Sequence, residues 1–272
     1  MNTNYGTIRL AIASALAVGV LGVGTASAGL VTTIKDAGDF SHFYTGTDMH
    51  DGVGYQNGWT EFSNFGTTIF TDLGGGVLNV ANSGGGAVMF DGSASTDGAT
   101  TWGDNLVSPI GPDSAYTIEF QLTLNDAAAG VRLWSGMGDG RDFLDVYNDR
   151  VTITQPGGGF LDVPLTLNDG QPHTFRLAND GNISGDTFTL AHDWVDGVQL
   201  TEPEGNPWTS GGNDARLLFG DYTSQAFGND TDYDIHYFAY DQGGAFSPIP
   251  EPSTFALLGL AGVTLWIRRR TR

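Results

Sequence analysis

Residues 116–124, Tyr116-Thr-Ile-Glu-Phe-Gln-Leu-Thr-Leu124, alternate between apolar and polar side chains. Successive side chains of a β-strand point to opposite faces, so this period of two predicts a strand with one face in a core and the other in water. A half-buried strand of this kind decides the fold class, and the domain around it is expected to be all-β. The apolar set is Ile118, Phe120, Leu122 and Leu124, and the polar set is Thr117, Glu119, Gln121 and Thr123.

Short runs of β-forming residues recur along the chain, separated by Gly, Asp and Asn. That spacing is typical of a β-sandwich. The pairs Asn148-Asp149 and Asp196-Gly197 tolerate the positive φ that a two-residue hairpin turn requires. Loops are expected at 92–105 and 202–214. Further strands are predicted at 67–71, 77–80, 87–90, 130–134, 143–147, 150–154, 173–178, 187–193, 216–219 and 232–240.

The chain is strongly acidic, with a net charge of −20 and no cysteine. Residues 29–250 hold 30 acidic and six basic side chains, which leaves −24 for this part. Such a surface argues against nucleic acid and anionic membrane as partners. The lack of cysteine excludes disulfides and thiol chemistry. Residues 29–246 are expected to form one β-sandwich domain, since all-β domains of this size commonly fold as one unit.

Residues 247–272 form a three-part pattern: a proline-rich stretch, an uncharged run and a basic cluster. Prolines 248, 250 and 252 favour an extended chain that cannot join a helix. The uncharged run 253–267 has 15 residues, fewer than the roughly 20 that span a bilayer untilted. Arg268, Arg269 and Arg270 would hold the end of this hydrophobic helix in the cytoplasm as a stop-transfer signal. A permanent C-terminal anchor is the alternative interpretation.

This order of elements resembles the PEP-CTERM sorting domain. The resemblance implies that Pro250, Glu251 and Pro252 are the motif processed by an exosortase, a membrane-embedded enzyme of exopolysaccharide-producing Gram-negative bacteria. It also implies transient anchoring in the inner membrane, followed by delivery to the cell surface or extracellular matrix. Removal of such an apolar tail leaves a mature protein without a membrane-spanning helix.

The N-terminal segment predicts export. Arg9 precedes an apolar run at 10–23, and Ala26-Ser27-Ala28 is a small-x-small cleavage pattern. We therefore expect residues 1–28 to be a signal peptide that signal peptidase removes after Ala28. An uncleaved anchor is the alternative.

A second resemblance begins at Gly170. Residues 170–177, followed by Trp194-Val-Asp-Gly-Val198 and the final strand 232–240, resemble the laminin-G/concanavalin-A-like jelly-roll β-sandwich. Pro172 departs from that pattern, because it stands where a tryptophan is usual. The resemblance implies a fold and leaves the activity open.

Catalytic carboxylates are not apparent. A glycoside hydrolase needs two carboxyl groups about 5 to 10 Å apart, but Pro203 disfavours a strand that would align Glu202 with Glu204. Asp142 and Asp145 face opposite sides of a strand. We therefore expect no catalytic residue and no enzymatic activity. The alternative is a secreted glycan-active hydrolase or lyase, which two converging carboxylates beside aromatic side chains would favour.

Two sets of residues are candidate binding sites. Asp221, Asp232 and Asp234 are weak candidates for calcium, because carboxylates suit this ion; the main expectation is that no cofactor is bound. His236 shares a strand face with Asp232 and Asp234, but a transition-metal site there is not expected. Trp102 and Trp208 fall in predicted loops and could contact a glycan, since sugars stack on exposed aromatic rings. Trp134 and Trp194 are expected in the core. The function predicted is structural, adhesive or weakly glycan-binding in exopolysaccharide.

Overall fold

The computed structural model describes residues 33–92, 115–126, 130–137, 140–154, 160–179, 189–201, 206–208, 217–221 and 231–248. Within these ranges the chain forms 14 strands, a short 3₁₀ helix (Ala37–Asp39) and one helical turn, α1 (Gly46–Met49). The strands are β1 (His42–Thr45), β2 (Thr60–Gly74), β3 (Val77–Asp91), β4 (Tyr116–Leu124), β5 (Gly130–Met137), β6 (Gly140–Tyr147), β7 (Arg150–Thr154), β8 (Phe160–Pro164), β9 (His173–Asn179), β10 (Thr189–Val195), β11 (Val198–Gln199), β12 (Asn206–Trp208), β13 (Leu217–Gly220) and β14 (Asp232–Asp241).

The strands pack as two antiparallel layers. Layer one places β11, β10, β9, β4 and β14 side by side, with β12 beside β10 and β1 beside β14. Layer two places β13, β5, β6, β7 and β8 side by side. The prediction of an all-β sandwich is confirmed. The predicted signal helix and the hydrophobic helix of the tail lie outside the described residues, and within the described ranges no helix is long and apolar enough to cross a membrane.

One long hairpin belongs to both layers. Strands β2 and β3 have 15 residues each. The part of β3 at Leu78 pairs with β14 in layer one, whereas the part at Phe90 pairs with β13 in layer two. The strand predicted at 67–71 lies within β2, but the separate strands predicted at 77–80 and 87–90 are the two ends of β3. Strand β3 continues through the three glycines at 84–86. The pairing register with β2 shifts there, between Phe65 and Thr67, and a β-bulge of this kind accommodates extra residues in one strand.

The space between the layers is filled by apolar and aromatic side chains. Phe219 of β13 lies 5.0 Å, between ring centroids, from both Phe120 of β4 and Phe238 of β14. All three rings are completely buried. The apolar face predicted for β4 is therefore in the core. Contacts between its aromatic rings and Phe219 connect the two layers directly.

The polar face of β4 does not meet water as the sequence predicted. Thr117 and Glu119 are both buried. A cover lies over them, made of residues 33–40 and 243–247, which we call the terminal clasp. Thr117 donates a hydrogen bond to the carbonyl of Gly244 (2.9 Å) and accepts one from the backbone N–H of Phe246 (2.8 Å). The alternation of β4 was recognised correctly, but its second face is covered by segments distant in sequence.

Both predicted hairpin turns are present. Asp196 and Gly197 have φ of 49° and 75°, and they join β10 to β11 as expected for a type I′ turn. Asn148 and Asp149 join β6 to β7. Neither has a positive φ, since Asn57 and Asp196 are the non-glycine residues of the described ranges that do. The second turn therefore uses a different backbone geometry. Strands β1, β8, β11 and β12 had no sequence prediction, and β12 lies inside an expected loop.

Candidate functional site

A row of polar side chains crosses the outer face of layer two. Arg132 of β5 is the register partner of Asp145 of β6, Asp145 is the partner of Thr152 of β7, and Thr152 is the partner of Asp162 of β8. We call these four residues the polar row. They share one face because the neighbours on either side of each point into the core, as Leu144 does beside Asp145.

The polar row is held together by hydrogen bonds. Arg132 Nε and Nη2 donate to the two oxygens of Asp145, each at 2.6 Å. Thr152 Oγ1 donates to Asp162 Oδ1 at 2.5 Å. Burial raises the pKa of the Asp145 carboxyl group, although Arg132 and then Arg150 oppose this effect. Asp145 is thus a buried, bidentately paired carboxylate, while the side chain of Asp162 is 62% exposed.

Aromatic rings flank the polar row on both sides. The rings of Trp134 and Phe143 lie 5.2 Å apart, and the guanidinium of Arg132 lies 5.1 Å from the Phe143 ring. On the other side, the guanidinium of Arg150 lies 3.9 Å from the centroid of the Tyr147 ring. These are cation–π distances. The outer face of layer two therefore combines hydrogen-bonding groups with aromatic rings.

The polar row is a poor acid–base pair. Adjacent strands are about 4.8 Å apart, so Asp145 and Asp162, two strands apart, have backbones separated by about 10 Å. Both oxygens of Asp145 already accept from Arg132. A general acid or base must instead have an oxygen free to exchange a proton with substrate. In the described geometry, neither oxygen of Asp145 is without a hydrogen bond from Arg132.

Sequence reasoning missed the polar row as a unit. It placed Asp142 and Asp145 on opposite faces of a strand, but it did not connect Asp145 with Arg132 or Asp162. The alternation Val131-Arg132-Leu133-Trp134 is visible in the sequence, and it marks Arg132 as outward-facing. The order of β5 to β8 in the sheet, which brings the four residues into one row, has no comparable local signal.

The proposed tryptophan contacts are only partly located. Trp102 lies outside the described residues. Trp208 lies on β12, with Thr189 as its register partner, so the loop expected at this position is a short strand. Trp134 and Trp194 are buried, at 8% and 5% exposure.

The calcium candidates separate into two environments. The Nδ2 atoms of Asn79 and Asn125 donate to Asp232 Oδ1 at 2.7 and 3.0 Å, and to Asp234 Oδ1 at 2.8 and 2.9 Å. Neutral amide groups thus bridge these two carboxylates. Asp221 is buried elsewhere, where it accepts from Thr231 Oγ1 at 3.0 Å. No group of three or more metal-ligating side chains occurs among the described residues.

His236 and His173 have different surroundings. His236 Nε2 lies 2.9 Å from Thr123 Oγ1. His173 lies between two carboxylates, with Nδ1 2.7 Å from Asp196 Oδ2 and Nε2 3.1 Å from Asp169 Oδ1. His173 thus connects the start of β9 with the β10–β11 turn, as expected for a hydrogen-bonded strand residue.

We expect replacement of His173 by glutamine to cost more stability at about pH 5.5 than at about pH 8.5. Burial lowers the pKa of His173, but hydrogen bonds to Asp196 and Asp169 outweigh this and raise it. The stabilisation is fully present below the unfolded pKa of about 6.5 and is lost as the pH rises through the folded pKa. The loss of unfolding free energy at pH 5.5 should exceed the loss at pH 8.5 by about 0.5 kcal/mol. The effect is small because both carboxylates are well exposed and water screens them. Urea unfolding at the two pH values measures it.

His236→Gln is the matched control and should show the opposite sign. Burial lowers the pKa of His236, and Asp234 only partly opposes this. The neutral ring is thus favoured in the fold, and the stability associated with it is lost as the pH falls below the unfolded pKa. If both variants showed the same sign of pH dependence, a raised pKa for His173 together with a lowered pKa for His236 would be contradicted.

The predicted sorting and processing residues lie outside the described ranges. They are Ala26, Ala28, Pro250, Glu251, Pro252, Arg268, Arg269 and Arg270. The described chain ends at Pro248, and Ser247 just before it belongs to the terminal clasp. The last described residues before the tail therefore lie at the clasp, on layer one.

Several solved structures share the sandwich arrangement. The botulinum neurotoxin serotype D binding domain is 8% identical over 74% of this chain and 46% of that chain, with a TM-score of 0.43. A structure from work on the entry of botulinum neurotoxin type C through two ganglioside molecules is 12% identical over 67% and 43%, with a TM-score of 0.40. Endo-β-1,4-glucuronan lyase from the fungus Trichoderma reesei is 14% identical over 74% and 95%, with a TM-score of 0.41.

These similarities are distant and concern the arrangement of strands alone. The chain spans less than half the length of the neurotoxin structures. No curated protein matches the chain in sequence. Residues 248–270 match the family model of the PEP-CTERM protein-sorting motif, so the chain carries a C-terminal signal for export and for delivery to the cell surface or extracellular space through membrane-anchored sorting by an exosortase.

Proposed function

We propose that this chain is a non-catalytic protein of a Gram-negative extracellular matrix, with a structural or adhesive role in exopolysaccharide. The observation that carries the proposal is the sorting motif at 248–270, which follows directly on a folded, acidic β-sandwich. In this proposal signal peptidase removes residues 1–28, the tail anchors the protein transiently in the inner membrane, and exosortase processing releases it. The laminin-G-like pattern at His173 supports a binding module.

Glycan contact is proposed for the outer face of layer two. There the polar row supplies hydrogen-bond donors and acceptors, and Tyr147 and Phe143 supply ring faces beside it. Trp102 and Trp208 remain proposed glycan contacts as well. This role requires no cofactor, and none is proposed; the amides of Asn79 and Asn125 each donate to one carboxylate oxygen of Asp232 and one of Asp234.

A glycan-active hydrolase or lyase is the second candidate. The observation that favours it is the presence of Asp145 and Asp162 on one face beside Tyr147, with the pKa of both Asp145 and Tyr147 raised, in each case first by burial. Perturbed groups of this kind cluster at active sites. The bidentate contact of Asp145 with Arg132 argues for the binding role.

Replacement of Glu251 by alanine is expected to leave the precursor unprocessed. The intact mass of the exported protein, measured with and without the processing enzyme, tests this. Wild-type protein should lose the mass of its tail when the enzyme is present and keep it when the enzyme is absent. Equal masses in the two backgrounds would contradict exosortase sorting and favour a permanent anchor.

Binding to a polysaccharide is expected to weaken about fivefold in Tyr147→Ala, because a ring that stacks on a sugar contributes on the order of 1 kcal/mol. A glycan array followed by titration with the polysaccharide that binds measures the effect. The control is Phe43→Ala, which removes an exposed aromatic ring on layer one. Affinity should be the same in calcium and in chelator. Shortening of the polysaccharide by wild-type protein, lost in Asp145→Asn, would instead favour the enzyme.

A further inference from the structure

The sorting motif begins where the terminal clasp ends. The backbone N–H of Ser247 donates to the carbonyl of Thr33 (2.9 Å), and the N–H of Lys35 donates to the carbonyl of Ser247 (3.3 Å). Ile34 and Ser247 are partners in a parallel bridge. Pro248, the next residue, is the first residue matched by the sorting-motif model. No residue separates the motif from a backbone that is paired into the fold.

The clasp is held by basic side chains, which are scarce in this chain. Lys35, the single lysine of the sequence, forms an ion pair with Asp241 and lies 4.8 Å from the centroid of the Phe246 ring. Arg176 Nη1 donates to the carbonyl of Lys35 at 2.8 Å and to that of Phe246 at 3.4 Å. Both halves of the clasp are thus tied to one buried guanidinium.

The closed clasp limits how far the motif can extend from the domain. Glu251 is four residues beyond Ser247, a distance of at most about 14 Å for a fully extended chain. An enzyme that binds an extended peptide contacts residues on both sides of its target. Release of residues 243–247 would add five residues, or about 17 Å, to the free chain. The length of free chain that the enzyme can bind therefore depends on whether the clasp is open or closed.

We propose that the terminal clasp is an autoinhibitory contact on sorting, which withholds residues 243–247 from the processing enzyme while it is closed. This inference rests on the proposed exosortase function. Opening of the clasp presents an extended segment that continues into Pro250, Glu251 and Pro252. When cleavage falls at or beyond Pro250, Thr33, Lys35 and Ser247 stay in the protein, and the clasp closes again on the sandwich.

A disulfide that locks the clasp provides the first test. Ile34 and Ser247 are bridge partners, so their Cα atoms are about 5 Å apart, within the range for a disulfide. The chain has no other cysteine. In isolated membranes that contain the full-length precursor and the exosortase, oxidised Ile34→Cys/Ser247→Cys should be processed at least about tenfold more slowly than wild type, since only the open state is competent. Dithiothreitol should restore the rate, and each single cysteine variant should match wild type under oxidant.

A weakened clasp provides the second test, in the opposite direction. Lys35→Met removes the ion pair with Asp241, and it should speed processing about fivefold through a larger open population. Lys35→Arg should return the rate to that of wild type. Asp72→Asn, which changes an exposed charge on the β2–β3 hairpin, is the control and should have no effect.

The outcomes separate the two proposals. If wild-type precursor is not processed in the presence of the enzyme, the exosortase function is overturned, and autoinhibition by the terminal clasp is overturned with it. If wild type is processed and the oxidised double-cysteine variant is processed equally fast, autoinhibition by the terminal clasp is overturned while the sorting function stands. Slower processing of Lys35→Met than of wild type would also overturn it, since loss of the ion pair can only favour the open clasp.

Discussion

Replacement of Arg176 by methionine is expected to lower the free energy of unfolding by about 3–5 kcal/mol, because a buried ion pair that loses one partner leaves an uncompensated charge. Arg176 is 2% exposed and Glu119 is 5% exposed. Arg176 Nε donates to Glu119 Oε2 at 2.5 Å, and Tyr237 donates to Glu119 Oε1 at 2.7 Å. Equilibrium urea unfolding, followed by tryptophan fluorescence, measures the loss.

The double variant Glu119→Leu/Arg176→Met distinguishes the lost charge balance from lost packing. Removing both charges should recover most of the stability, since apolar replacements of a buried pair are often neutral or stabilising. Equal losses in the single and double variants would show that packing of the Arg176 side chain, and not pairing with Glu119, is responsible. The guanidinium also lies 5.0 Å from the Phe40 ring, so the same comparison reports on the clasp.

Replacement of Phe219 by alanine is expected to cost about 3–5 kcal/mol, the usual range for a phenylalanine truncated in a core. Its ring contacts Phe120 and Phe238 at 5.0 Å each, and these three residues come from facing layers. Truncation leaves a cavity between the layers and removes their most direct aromatic contact. The urea midpoint should fall, with little change in the dependence of unfolding free energy on denaturant.

Phe160→Ala is the matched control for Phe219→Ala. Phe160 lies on the edge strand β8 and is 59% exposed, so its loss should change stability by less than about 0.5 kcal/mol. A similar loss for both variants would contradict the assignment of Phe219 to the core between the layers.

The distribution of basic side chains links stability to function in this acidic protein. Residues 29–250 contain six basic side chains against 30 acidic ones. Lys35 and Arg176 hold the clasp, and Arg132 and Arg150 lie on the outer face of layer two. The proposed glycan face and the terminal clasp therefore lie on opposite layers.

Local pattern determined much of what could be predicted. The alternation in Tyr116–Leu124 predicted β4 and its core face, the Asp196-Gly197 pair predicted a turn with positive φ, and the order of prolines, apolar run and arginines predicted the sorting motif. Each of these signals lies within about 25 consecutive residues. Strand periodicity, turn geometry and a linear signal are all properties of neighbouring residues.

Only the tertiary structure decided what covers each face and which side chains meet. Lys35 and Asp241 are 206 positions apart, and Arg176 and Glu119 are 57 apart. Periodicity shows that Glu119 points away from the core, but it cannot show that the clasp buries this residue. The polar row likewise depends on the order of β5 to β8 in the sheet. Alternation along a strand is local, whereas the partner of a face is set by strand order and chain reversal over the whole domain.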